Sequence, residues 1–163
     1  MSKQAPVAKN RIDSRELIGR VQGTLSDRTV GTALKDIARI LRQSSDHYDW
    51  VGIYLVRGDT LELATYDGVS ETEHVRIPVG MGICGSAAKE GRPILVPNVN
   101  EDPRYLACFA STRSEIVVPI IGKNNVLGEI DIDSDRLSAF DEEDRESLEA
   151  IALLLADVLQ EHN

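Results

Sequence analysis

Residues 126–134 read Val-Leu-Gly-Glu-Ile-Asp-Ile-Asp-Ser, and their alternation of aliphatic and acidic side chains constrains the fold more than any other feature of the chain. A period of two is that of a β-strand, so Val126, Gly128, Ile130 and Ile132 share one face and Leu127, Glu129, Asp131 and Asp133 the other. The aliphatic face must be covered by another layer. The acidic face is harder to place, because a carboxylate buried without a partner costs several kcal/mol. Either that face is wet or it meets a cation, and an ammonium group is the sharper of the two readings.

The flanking segments extend the sheet. Residues 115–121 join 126–133 through a Gly-Lys-Asn-Asn turn, which brings Glu115 beside the acids. A second hairpin pairs residues 50–56 with 61–66 around Arg57-Gly58-Asp59. In it Val51, Ile53 and Leu55 point toward the core, while Trp50, Gly52 and Tyr54 point the other way. With a glycine leaving a gap between two rings, that aromatic set forms the wall of a ligand slot, or else Trp50 and Tyr54 are core aromatics with satisfied polar tips.

Helices frame the strands. Asp13 and Glu16 have the spacing of a capping box ahead of Leu17, Ile18, Val21 and Leu25, and Val30, Leu34, Ile37 and Leu41 predict a second helix. Gly80-Met81-Gly82 precedes a short helix over 83–90, residues 94–96 form a short strand, and 97–112 form a long loop. The last helix spans 141–161, with acids at its dipole-positive start and an apolar surface wide enough to touch a second subunit. This order predicts an α+β domain over residues 12–163, an antiparallel sheet with helices layered on one face and a pocket under the short helix and loops on the other; residues 1–11 read as a frayed, disordered tail.

The charge excludes some functions. With 27 acidic against 18 basic residues, a net of −9, the chain repels nucleic acid and anionic membrane surfaces. No apolar run nears the ~20 residues of a membrane span, and the N-terminus lacks the apolar core of a secretory signal, so a cytoplasmic location is expected. Only Cys84 and Cys108 are present, at no zinc-binding spacing and too few for a disulfide scaffold. Cys84 falls at a helix start, where backbone N–H groups stabilise a thiolate, and Cys108 falls in the long loop. Free cysteines are also commonly inert buried hydrophobes. His47, His74 and His162 form no triad.

Four segments, 48–52 (Tyr-Asp-Trp-Val-Gly), 77–85 (Ile-Pro-Val-Gly-Met-Gly-Ile-Cys-Gly), 114–119 (Ser-Glu-Ile-Val-Val-Pro) and 127–134, together resemble a GAF domain, and within it the free methionine-(R)-sulfoxide reductases. The resemblance spans about residues 12–160. It implies that Cys108 is the catalytic cysteine and Cys84 a second redox cysteine. It further implies that Glu115, Asp131 and Asp133 hold the substrate, and that Trp50 and Tyr54 enclose its methyl-sulfoxide end. The family's third cysteine, about ten residues before Cys84, has no counterpart in Glu73-His74-Val75. The implied chemistry is attack of Cys108 on the sulfoxide, a sulfenic acid, and resolution by Cys84 or an external thiol. No cofactor or metal is expected; a thioredoxin-like reductant and a homodimer are. The alternative is a non-catalytic GAF sensor that binds a small ligand and acts in trans.

Overall fold

Two antiparallel hairpins meet edge to edge, and their junction sets the sheet. The computed structural model describes residues 9–107 and 109–161. β1 (Trp50–Arg57) pairs with β2 (Thr60–Gly68), and β5 (Ser114–Ile121) with β6 (Val126–Ser134). β1 and β6 then pair antiparallel at the centre, while β3 (Arg76–Pro78) and β4 (Ile94–Val96) add the edges in the order β3-β2-β1-β6-β5-β4.

One face carries α1 (Ser14–Asp27), α2 (Val30–Gln43) and α4 (Glu142–Glu161). Val51, Ile53, Ile116, Val118, Ile130 and Ile132 are fully buried there against Val21, Ile37, Leu41, Leu148 and Leu155. Each such side chain contributes about 1.5–3 kcal/mol of transfer free energy, so this layer is the main source of stability. The opposite face carries α3 (Gly82–Glu90), whose Ile83 and Ala87 pack with Leu61, Ile77, Val96 and Val117 in a second, smaller core. This is the α+β layering the alternation predicts. Among the described residues no helix is long and apolar enough to cross a membrane.

Local departures have local causes. Asp13 caps α1 by accepting from the Arg15 amide at 2.9 Å, but Glu16 turns to Arg20 instead of closing a box. A reciprocal box forms at α4, where the Asp144 amide donates to Asp141 Oδ1 at 3.1 Å and the Asp141 amide to Asp144 Oδ2 at 2.8 Å. Lys9 and Arg11, assigned to the tail by the sequence, lie against that box, with Lys9 Nζ 2.7 Å from Asp144 Oδ2 and Arg11 Nη1 2.9 Å from Asp141 Oδ1. β3 and a 3₁₀ turn at Val99–Glu101 are too short for a period to announce them. Alternation also fails at the start of β6. A register shift after Ile120 turns Leu127 to the helix side and Val126 to the other.

Gly128 marks the tightest backbone approach at the junction of the two hairpins. A Cβ there would lie 2.2 Å from the Tyr54 carbonyl oxygen, a backbone atom that cannot swing away. Gly128→Ala is therefore expected to cost about 3 kcal/mol or more, measured as a lowered urea midpoint at unchanged slope.

Candidate functional site

Opposed residues of an antiparallel sheet project to the same side with Cβ atoms about 4.5–5.5 Å apart. On the α3 side this rule builds three cross-strand rows. The first runs Gly68, Trp50, Asp133, Glu115 and Val96; the second Tyr66, Gly52, Asp131, Val117 and Ile94; the third Leu63, Tyr54, Glu129 and Pro119. Glu115, Asp131 and Asp133 are thereby neighbours, with Glu129 completing the patch.

The patch is not wet. Glu115 is 5% exposed, Asp131 2%, Asp133 3% and Glu129 fully buried. Both Glu129 oxygens, Asp131 Oδ1 and Asp133 Oδ1 have no hydrogen-bond partner. Burial pushes the Glu129 and Asp133 carboxyls well above the usual carboxylate range, and the negative field of Asp131 raises both further. Asp131 is also raised by burial, although contacts with Glu115 and Cys84 hold it back. Carboxyls arranged in this way can hold a proton near neutrality or receive a cation.

Cys84, on the first turn of α3, points into the same patch, its thiol 3.8 Å from Glu115 Oε1. It also lies within electrostatic reach of Glu129, though the geometry closes no hydrogen bond to either oxygen of that carboxyl. Here the expectation from sequence is reversed. Burial raises the Cys84 pKa well above that of a free thiol, and Asp131, Glu129 and Glu115 raise it further. Desolvation and three nearby acids outweigh the half-charge of one helix terminus, so Cys84 is a protonated thiol at neutral pH.

The aromatic residues divide. The indole of Trp50 lies flat across two glycines: a Cβ at Gly52 would sit 2.3 Å from its Cη2, and one at Gly68 2.3 Å from its Cδ1. The gap expected at Gly52 is therefore filled by Trp50 itself. Tyr66 stacks on the indole at 5.8 Å and 15°, and Phe109 tilts against it at 5.7 Å. Trp50 Nε1 is buried without a partner. Tyr54 is fully buried, and its hydroxyl donates to the His74 carbonyl at 3.0 Å. Its hydroxyl thus has a partner, and its ring packs in the smaller core.

Two cavities flank the acids. The larger, about 500 Å³, is lined by Trp50, Phe109, Asp133, Asp135, Asp49 and Arg42, among others, and lies within the ~300–1,000 Å³ range of small-molecule sites. The smaller, about 20 Å³, is bordered by His74, Cys84, Leu106 and Glu115. The long loop touches both, through Leu106 on one side and Phe109 on the other. Cys108, the thiol singled out by resemblance, lies outside the described residues.

Four residues near the site had no role assigned from sequence. Glu129 was visible in the alternation itself. His74 and Phe109 enter from loops whose path no periodicity reveals. Arg42, the only cation among the described residues lining the larger cavity, sits on α2 and donates to the Asp49 carbonyl at 3.2 Å.

The buried acids give an unusual pH dependence. Glu129, Asp131 and Asp133 each hold a proton more tightly when folded than when unfolded. Their contribution to stability is thus complete below about pH 4 and is lost as the pH rises through the raised values. Thermal stability is expected to fall from pH 5 to 8, and Glu129→Gln to flatten that slope and raise the stability at pH 8 by more than about 1 kcal/mol. Calorimetric scans of both proteins across that range provide the check.

Comparison with known proteins adds lineage. The GAF domain family matches residues 29–159. "GAF domain-containing protein A" of Dictyostelium discoideum is 34% identical over 141 residues, covering 85% of this chain and 87% of that protein. The free methionine-R-sulfoxide reductase of Escherichia coli (strain K12) is 35% identical over 126 residues, covering 77% and 75%. The X-ray structure of free methionine-R-sulfoxide reductase from Neisseria meningitidis in complex with its substrate superposes with a TM-score of 0.84 at 33% identity, covering 90% of this chain and 88% of that one.

Proposed function

The chain belongs to the GAF domain family, and from that membership we propose that it reduces free methionine-(R)-sulfoxide to methionine at the expense of a thiol. One observation carries the proposal: a cluster of buried carboxyl groups, several of their oxygens unpartnered, whose member Asp133 opens onto a cavity of about 500 Å³. An α-ammonium group is the charge such a patch lacks, and it brings three N–H donors to oxygens that have none. Arg42, paired with Asp67 at 3.5 Å, brings the opposite sign to the cavity lining, suited to the ligand's carboxylate. The Trp50 face with Phe109 gives the methyl-sulfoxide end an apolar seat.

In the proposed reaction Cys108 attacks the sulfoxide sulfur as a thiolate. A carboxyl of the patch that is protonated near neutral pH passes its proton to the departing oxygen. The sulfoxide gains two electrons and becomes the thioether of methionine, while Cys108 takes the oxygen and becomes a sulfenic acid. A second thiol, Cys84 or an external one, condenses with that acid to give a disulfide and water, and a dithiol such as thioredoxin reduces the disulfide. Because Cys84 is held protonated, an external thiol competes well for the resolving step. The scheme draws on thiols alone and uses no prosthetic group.

The test is turnover of the free (R)-sulfoxide by the wild type with excess dithiothreitol. Steady formation of methionine, at least about tenfold faster than from the (S)-epimer, supports the reading. Absence of turnover, with the sulfoxide still binding, assigns the domain to ligand sensing instead. Cys84→Ser should retain dithiothreitol-driven turnover and change only the thioredoxin-driven rate.

A further inference from the structure

We propose that Cys84, Glu115 and Asp131 form a binding site for a thiophilic divalent cation, Zn²⁺ above all, overlapping the place the substrate ammonium takes in the reading above. Donor atoms of the three residues lie within 4.8 Å of one another, with Cys84 Sγ and Glu115 Oε1 3.8 Å apart. Tetrahedral zinc holds sulfur at about 2.3 Å and oxygen at about 2.0–2.2 Å, which sets neighbouring donors roughly 3.5 Å apart. The cluster therefore needs only a modest contraction to close on an ion. Cysteine spacing in the chain shows no zinc motif, because these ligands come from α3, β5 and β6 and meet only in the fold.

A second observation points to a cation independently of the three ligands. Glu129 is fully buried, leans on the Cys84 thiol, and has no hydrogen-bond partner on either oxygen. Within the trio itself, Asp131 Oδ1 is also buried and unpartnered. Once deprotonated, carboxyls buried in this way need a counter-charge. The mixed sulfur and oxygen donors select the metal: Mg²⁺ and Ca²⁺ prefer six or more oxygens, whereas zinc accepts thiolate with carboxylate. The fourth position is left to solvent, with His74 bordering the same small cavity.

Binding exchanges a proton for the metal. The Cys84 S–H bond breaks, the sulfur binds zinc as a thiolate, the proton goes to solvent, and nothing is oxidised or reduced. Affinity should accordingly rise about tenfold per pH unit for each proton released. A bound ion also occupies Glu115 and Asp131, so zinc should compete with the amino acid. That competition rests on the proposed function, whereas the binding itself does not.

The experiment uses Co²⁺ as a spectroscopic stand-in for zinc, added to the full chain kept metal-free and reduced with a phosphine. One equivalent should give a thiolate-to-cobalt charge-transfer band that Zn²⁺ abolishes by displacement. The band should persist in Cys108→Ser and vanish in Cys84→Ser. Asp131→Asn, whose circular dichroism checks the fold, should weaken binding by roughly tenfold or more. In parallel, Zn²⁺ should raise the apparent KM for the sulfoxide at unchanged kcat, and a chelator should reverse this. No band, or a band kept in Cys84→Ser and lost in Cys108→Ser, overturns the site even if turnover is normal. A band with no turnover in the metal-free wild type leaves the site standing and removes the reductase reading.

Discussion

Cys108→Ser is expected to abolish dithiothreitol-driven reduction of free methionine-(R)-sulfoxide, with kcat/KM falling by at least about a thousandfold. A serine hydroxyl is a far weaker nucleophile than a thiolate at neutral pH and has no accessible counterpart to the sulfenic acid. The only other thiol of the chain cannot take over. Cys84 is buried beside Glu115, Glu129 and Asp131, and their field with its own desolvation keeps it protonated. The contrast between the two serine variants is therefore large, with Cys108→Ser inactive and Cys84→Ser active with dithiothreitol. Comparable activity in both, assayed as methionine formed, would refute the assignment of roles.

The second large effect is expected at the acids. Asp131→Asn should raise KM and lower kcat/KM by about a hundred- to a thousandfold, equivalent to some 3–4 kcal/mol, the range found when a desolvated charge loses its partner. Asp131 occupies the middle of the patch, opposite Gly52 on β1 and Val117 on β5, and is only 2% exposed. The same substitution removes one of several crowded carboxyls and should leave the unliganded protein at least as stable at pH 8. Activity falling while stability holds or rises separates a binding role from a merely structural one. A loss of both would place Asp131 in the scaffold. Steady-state kinetics and thermal melts on one preparation decide the matter.

Much of this was legible in the sequence, for a physical reason. Alternation in residues 128–133 and 50–54 assigns each side chain to a face, and the two faces became the aliphatic layer under α1, α2 and α4 and the acidic patch under α3. Cross-strand register then brought Glu115, Asp131 and Asp133 together without further instruction. Long-range terms escaped. The helix-start argument for Cys84 was sound locally and lost to acids contributed by two distant strands. The glycine gap at Gly52 could not be judged without Gly68, which sits on β2 opposite Trp50 and shares its indole. Arg42 reaches the cavity from a helix whose own pattern speaks only of its buried side.

A positive nitrogen meeting buried carboxyls is what holds the substrate, and the most direct measurement compares free methionine-(R)-sulfoxide with its N-acetyl derivative under identical thiol-driven conditions. Acetylation removes the ammonium charge and leaves the sulfoxide untouched. We predict a kcat/KM at least about a hundredfold lower for the acetylated compound, with the difference largely gone in Asp131→Asn. Equal turnover of the two compounds by the wild type would contradict the account.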